Sequence, residues 1–359
     1  MRAAILKAFG TPLSVETQPD PVLGAGEIIV DIAATSVLNY ADEVFSSARN
    51  YQLELPAIPG LGAVGRVRAL GPDATKLAEG DWVFCDPTVR SRDDALSPDI
   101  LLQGLTAPSE GARRLQQQFR HGSFAERMRL PTENAAAIGT VEKADAARWC
   151  ALGTLLVPYS GLSAVGLQAG ECVVINGATG GFGSAGVAVA LAMGAACVIA
   201  TGRNEAALRD LARRFGSRLR TARMEGPEES DRRRIVEAAP APIDCVLDLL
   251  PPKASASQVR KAVMAVRPGG RVALMGGAGM AGGEELALPY PWIMRNNITI
   301  RGQWMYPRDA ITRLAQLVRS GLIDLGQFAV TEFGLAEINQ AVAHAARDAG
   351  PFRMTVVRP

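Results

Sequence analysis

The chain has 359 residues, room for two domains at about 100–200 residues each. Hydrophobic residues make up 48% and charged ones 21%, with 38 Lys and Arg against 36 Asp and Glu. That composition argues against disorder and gives no footprint for nucleic acid or an anionic membrane. Two histidines, His121 and His344, and five scattered cysteines (Cys85, Cys150, Cys172, Cys197, Cys245) disfavour a disulfide framework or a His- or Cys-rich metal centre, and suit a reducing cytoplasm.

The N-terminus carries Lys7 inside what would be an apolar core and does not read as a secretory signal. Residues 1 to about 125 read as β-rich. Arg2–Phe9, Glu27–Ala34, Gly62–Ala69 and Asp81–Cys85 cluster Val, Ile and Ala between turn signals, the pattern of a small barrel or partly open sheet. Asp86–His121 is polar and Arg-rich with a weak helical pattern at Glu110–Phe119, long for a loop, and reads as a functional excursion or a flap.

From about 145 the period changes. Apolar strands at Glu171–Asn176, Ala196–Thr201, Ile243–Leu249, Arg271–Met275 and Ile298–Gly302 alternate with helical patterns at Gly183–Met193, Asn204–Phe215, Arg232–Ala239 and Ala256–Ala265. That alternation predicts βαβ units and a parallel sheet covered on both faces. The run Ser184–Ala200 has nearly the length of a membrane span, but Gly194-Ala195-Ala196 breaks it, so a buried helix and strand explain it better. The ten arginines between Arg203 and Arg234 interleave with acids and read as a solvated, ion-paired helix face. A helix at Arg308–Ser320, a strand near Phe328–Thr331, a helix at Ala336–Ala346 and a strand at Met354–Val357 close the chain.

Asn176 ends a strand, and Gly177-Ala178-Thr179-Gly180-Gly181-Phe182-Gly183 follows at once, before an apolar helical stripe. Such a turn lets backbone N–H groups and a helix N-terminus approach a pyrophosphate. The register running from Ala178 through Gly180 to Gly183 starts where the strand stops, which the strict pattern Gly181, Gly183, Gly186 does not. A dinucleotide site selective for NAD places an acid about 20 residues on. Here the next strand ends in Thr201-Gly202-Arg203-Asn204, with a guanidinium suited to a 2′-phosphate, so NADPH is expected over NADH. Gly276, after the strand Arg271–Met275, completes the expected cofactor set.

With these residues in view the chain resembles the medium-chain dehydrogenase/reductase superfamily, in its zinc-free quinone oxidoreductase and enoyl reductase branch. The resemblance rests on Ser36-Val37-Leu38-Asn39-Tyr40-Ala41-Asp42, Leu55-Pro56-Ala57-Ile58-Pro59-Gly60, Gly122-Ser123-Phe124-Ala125-Glu126, the Gly177–Gly183 turn, Arg267-Pro268-Gly269-Gly270-Arg271-Val272 and the stretch Phe333–Val342. It implies an α/β fold: a GroES-like catalytic domain from 1–125 completed by 303–359, and a Rossmann NADP-binding domain, a doubly wound parallel sheet, over 126–302, with the active site in the cleft between them. It also implies a soluble homodimer acting on a small molecule. Trp304, Met305 and Tyr306, after the last Rossmann strand, suit either a pocket wall or the subunit contact.

Many relatives are zinc alcohol dehydrogenases. At the positions matching their ligands this chain has Asn39, Leu61 and Gly62, with Cys150 three residues from the third position, and residues 86–149 hold no cysteine for a structural zinc lobe. No metal is therefore expected. Without a Lewis acid, reduction of a C=C bond conjugated to a carbonyl, or of a quinone, is the favoured chemistry. Hydride goes to the β carbon and the enolate oxygen needs hydrogen-bond donors. Asn50-Tyr51 shortly before Leu55-Pro56-Ala57 matches the Asn-Tyr of mitochondrial-type enoyl reductases, which makes Tyr51 the first candidate, then Tyr40 and Asn39. A metal-free alcohol or ketone dehydrogenase and a non-catalytic NADPH-binding protein remain the alternatives.

Overall fold

At the N-terminus β1 (Arg2–Ile5) pairs antiparallel with β2 (Ser14–Thr17), and β3 (Glu27–Val37) follows as an almost wholly buried strand of eleven residues. The structure, a computed structural model, describes residues 1–359. After α1 (Ala41–Phe45) come β4 (Ala63–Leu70) and β5 (Trp82–Cys85), each antiparallel to its predecessor in the sheet. The β3–β4 register shifts twice, between Ile29 and Val30 and between Ile32 and Ala34, and a Cβ at Gly65 would sit 2.3 Å from the Asp31 carbonyl oxygen. Only glycine admits that approach of the two backbones.

Residues 86–121 form an ordered lobe rather than a flap. β6 (Thr88–Arg90) and β7 (Ile100–Leu102) make a hairpin, and α2 (Glu110–Gln118) is capped by Ser109, whose hydroxyl accepts from Ala112 N–H at 3.0 Å. Val89, Leu101, Ala107, Ala112 and Phe119 give the lobe its own buried cluster. Buried Gln103 donates to the His121 and Arg129 carbonyls, both at 2.8 Å, and ties it to the main sheet. β8 (Arg127–Pro131) then pairs with β3, β9 (Ala135–Ala137) pairs with β5, and α3 (Ala146–Trp149) ends this part of the chain.

α4 (Ala151–Ala164) leads into the second half. There β10 (Cys172–Asn176), α5 (Gly181–Ala192), β11 (Cys197–Gly202), α6 (Glu205–Phe215), β12 (Leu219–Arg223), α7 (Glu228–Ala238), β13 (Cys245–Asp248), α8 (Ala256–Val263), β14 (Arg271–Leu274), α9 (Tyr290–Arg295) and β15 (Thr299–Gly302) alternate in order. The six strands form one parallel sheet, ordered β12-β11-β10-β13-β14-β15, which reverses direction of growth at β10. A topological switch point of this kind is where ligands bind in doubly wound sheets. The run Ser184–Ala200 is the end of α5 and the start of β11, both buried, and no helix is long and apolar enough to cross a membrane. The Arg203–Arg234 stretch is not one helix face. β12 threads through it as an edge strand, with Leu219 and Ala222 buried and Arg220 and Arg223 exposed, cations that blunt a free edge.

α10 (Asp309–Arg319) precedes β16 (Ala329–Gly334), α11 (Ile338–Arg347) and β17 (Arg353–Arg358); β17 pairs parallel with β16 and antiparallel with β3. The first sheet is thus seven-stranded, β16-β17-β3-β4-β5-β9 with β8 on β3. The chain divides into two compact units, Met1–Gly153 with Leu325–Ala349 and Arg353–Pro359, and Thr154–Asp324 with Gly350–Phe352. The first unit runs past residue 125 because β8 and β9 belong to its sheet, and its C-terminal part starts after α10 rather than at 303.

Candidate functional site

In the second unit β10 ends at Asn176 and the turn begins at Gly177, whose φ of +89° lies in the left-handed region. Gly180 stands at the N-cap of α5, and no side chain caps that end. A Cβ on Gly183 would lie 2.1 Å from the Gly177 carbonyl oxygen, so helix and turn meet only because the residue is glycine. Thr179 packs over Gly202, where a Cβ would meet its Cγ2 at 2.4 Å. At Gly276 a Cβ would fall 2.5 Å from Asp248 Oδ2 and 2.7 Å from the Leu250 carbonyl. Strand end, turn and helix N-terminus are thus packed closely through glycine, with the uncapped N–H groups at the start of α5 beside the turn.

The cofactor candidates divide by environment. Thr179, Gly180, Gly181 and Phe182 retain exposure at the turn. Ala178 is fully buried, with its N–H donating to the Thr201 carbonyl at 2.9 Å, so it packs the turn rather than facing solvent. Thr201 is buried too. Its hydroxyl donates to Asn176 Oδ1 at 2.8 Å and accepts from Gly177 N–H at 3.3 Å. Asn204 caps α6, accepting from Ala207 N–H at 3.1 Å. Arg203 is exposed and has no carboxylate within ion-pair distance. Arg223, which the β11–β12 register sets beside Gly202, pairs with Glu205 at 3.2 Å, as the ion-paired reading of the arginine run expects.

Sequence reasoning missed the polar floor of the turn. Asn176 Nδ2 donates to Asp248 Oδ1 at 2.7 Å and to the Gln258 carbonyl at 3.1 Å. Asn176 and Asp248 are direct partners across β10 and β13. The signal was a single polar residue closing each of two apolar strands. Burial pushes the Asp248 carboxyl up to about 6, against the hydrogen bonds it receives from Asn176 and the Leu250 N–H.

In the first unit Tyr40 precedes α1, and the Tyr51 ring meets it edge-on, 6.4 Å between centroids at 83°. The Arg49 guanidinium lies 3.8 Å over the Tyr40 ring and pairs with Glu43 at 2.7 Å. Burial, and then the neighbouring Tyr51 phenol, push the Tyr40 hydroxyl above its ordinary range and make it a poorer acid. Asn39 is exposed in the turn before it. Tyr51 lines a cavity of about 500 Å³ together with Phe9, Asn50, Glu54, Arg113 and Gln116; Tyr40 does not. The lobe 86–121 therefore supplies one wall of the Tyr51 cavity.

A tetrahedral zinc needs three or four convergent Cys, His or carboxylate ligands. No group of three or more His, Cys, Asp or Glu side chains converges in this chain. His121 Nδ1 accepts from Ile58 N–H at 3.3 Å, and His344 Nδ1 is bonded to Thr355 Oγ1 at 2.9 Å. Cys85 and Cys150 are buried, and burial raises both thiols, Cys150 up to about 12. The residues present do not fit a zinc.

Residues 24–141 match the alcohol dehydrogenase GroES-like domain, and residues 181–320 match the zinc-binding dehydrogenase domain. These two matches place the chain in the medium-chain dehydrogenase/reductase superfamily, to which it belongs. It is 30% identical to an alcohol dehydrogenase of Moraxella sp. (strain TAE123) over 54% of this chain and 56% of that enzyme, so the chain spans about half of that relative. It is 27% identical to an alcohol dehydrogenase of Geobacillus stearothermophilus over 90% of each chain. An acryloyl-coenzyme A reductase of Metallosphaera sedula is 25% identical over 58% of this chain and 60% of that one. A Sinorhizobium meliloti 1021 protein described as a zinc-binding dehydrogenase, solved bound to NADP, superposes with a TM-score of 0.79 at 21% identity, covering 100% of this chain and 99% of that one. At that identity the likeness is one of fold.

Proposed function

We propose that the protein is an NADPH-dependent, zinc-independent oxidoreductase that reduces quinones or α,β-unsaturated carbonyl compounds. The observation that carries this reading is the donor set at the positions where zinc relatives hold their metal. Asn39, Leu61 and Gly62 stand there, and no metal-competent cluster replaces them. The resemblance to an acryloyl-coenzyme A reductase supports reduction of a conjugated C=C bond, and the NADP-bound relative in fold supports the cofactor.

When bound, NADPH supplies the hydride. Gly180–Gly183 and the N-terminus of α5 would hold the pyrophosphate and Arg203 the 2′-phosphate, while Gly276, just after β14, lets the chain pack against Asp248 and Leu250. Tyr51 donates a hydrogen bond to the substrate carbonyl oxygen as negative charge develops there. An ordinary phenol is protonated at neutral pH and suits that role. A homodimer joined through β15, the free edge of the parallel sheet, belongs to this reading, since Tyr290, Met294 and Trp304 on the elements flanking it are exposed.

The test is NADPH oxidation by chelator-treated protein with quinones, enones and 2-enoyl thioesters. Turnover with at least one of these classes, and none with simple alcohols and NADP, is expected. Turnover of alcohols alone, or activity restored only by zinc, contradicts the proposal.

A further inference from the structure

The Tyr51 cavity has one wall that the sequence assigned to nothing. Residues 52–54 run against the 86–121 lobe. Gln52 N–H donates to Thr106 Oγ1 at 3.1 Å, Ala107 N–H donates to the Gln52 carbonyl at 2.6 Å, and the buried Gln116 amide accepts from Glu54 N–H at 3.3 Å and donates to its carbonyl at 3.4 Å. This anchoring fixes α2 beside Tyr51 and brings Arg113 to the cavity. Arg113 Nη1 donates to Gln52 Oε1 at 3.3 Å, and no carboxylate lies within ion-pair distance of it. A guanidinium carries five N–H donors, and Gln52 Oε1 takes one of them on this exposed side chain.

The rest of the wall is largely polar, with Phe9 and Leu53 as its apolar part. Ser47, Asn50 and Tyr51 each offer an O–H or N–H, and Gln52, its carbonyl oxygen taken by Arg113, offers its amide N–H₂. Ser47 and Asn50 are held at φ of +67° and +53°, a left-handed conformation that non-glycine residues adopt at a cost. Glu54 is the single acid on the wall. The space is an open depression of about 500 Å³.

We infer that this cavity receives an anionic oxygen group of the substrate, a carboxylate or a phosphate, with Arg113 as the recognising cation. The 86–121 lobe thereby selects acidic unsaturated carbonyl compounds over neutral ones. The inference rests on the reductase reading for its kinetic consequence and stands on binding alone without it. Glu54 opposes an anion and Arg113 attracts one, so removing each charge moves selectivity in opposite directions, which a merely structural role for either residue would not do.

The experiment compares 4-oxo-2-pentenoate with its methyl ester as substrates, and titrates the unreactive levulinate and inorganic phosphate calorimetrically. In the intact protein the acid is preferred over the ester. Arg113→Gln lowers the acid-to-ester ratio of kcat/KM by about 10- to 100-fold, as expected for loss of a charge-assisted contact, and weakens levulinate similarly. Glu54→Gln raises the ratio. Phosphate binding more tightly than levulinate would assign the group as phosphate. An unchanged ratio in Arg113→Gln, or a lowered one in Glu54→Gln, overturns the inference while leaving the reductase reading intact if both substrates are still reduced. Arg113-dependent levulinate binding without reduction of either substrate keeps the pocket and overturns the reductase reading. Neither binding nor reduction overturns both.

Discussion

Arg203 and Tyr51 are single residues to which distinct tasks fall, and their surroundings differ in a way that bears on both. Arg203 is exposed and without a carboxylate partner; in the same run Arg209, Arg213, Arg214, Arg223, Arg232 and Arg234 are ion-paired, and Arg218, Arg220 and Arg233, like Arg203, are not. A free guanidinium gains its full charge-assisted contact on meeting a phosphate, about 1.5–3 kcal/mol. Arg203→Ala is expected to weaken NADPH about 10- to 100-fold and to leave NADH nearly unchanged, as read by fluorescence titration; equal loss for both cofactors contradicts the assignment. Tyr51→Phe keeps the ring contact with Tyr40 but removes the donor. Turnover on the best enone is expected to fall by about 10²–10³-fold, with NADPH affinity unmoved. Unaltered turnover would point away from Tyr51. The neighbouring Tyr40, a poorer acid through burial, does not line the cavity and is a weaker substitute.

At the scale of elements, the turn between β10 and α5 was legible because glycine spacing, a strand end and an apolar helical stripe coincide in one short stretch. Its polar floor was not. Asn176 and Asp248 are 72 residues apart in the chain and meet only through the β10–β13 register. The Arg113 wall was hidden for the same reason, since Gln52 and α2 come together by tertiary contacts that a polar, weakly periodic stretch does not announce. β12 was lost inside a charge run because an edge strand can expose cations as readily as a helix can. Asp248 gives the floor a measurable property. Its folded pKa of about 6 lies above the ordinary 3.8, so the folded state binds the extra proton between those values. Stability contributed by this group falls as pH rises from about 4 to 6, by up to about 3 kcal/mol. Asp248→Asn is expected to melt higher than the parent at pH 7 and to converge with it near pH 4. Parallel melting curves across that range would show that the carboxyl is not desolvated.

For the whole molecule, the division into a β-rich unit and a parallel α/β unit followed from the change of period near residue 145, whereas the unit boundaries depended on pairings of β8, β9 and β17 that no local pattern reveals. Assembly is a property of the same scale. Sedimentation equilibrium is expected to give a dimer, and Trp304→Glu to shift it to monomer; a monomeric parent would remove β15 as an interface. Which bond the molecule reduces is read from where the hydride lands. NADPH deuterated at nicotinamide C4 is supplied to chelator-treated protein with an enone, and the product is read by NMR. The expected product is a saturated ketone with deuterium at the β carbon. Deuterium on the carbonyl carbon of an allylic alcohol would contradict it and make the protein a carbonyl reductase.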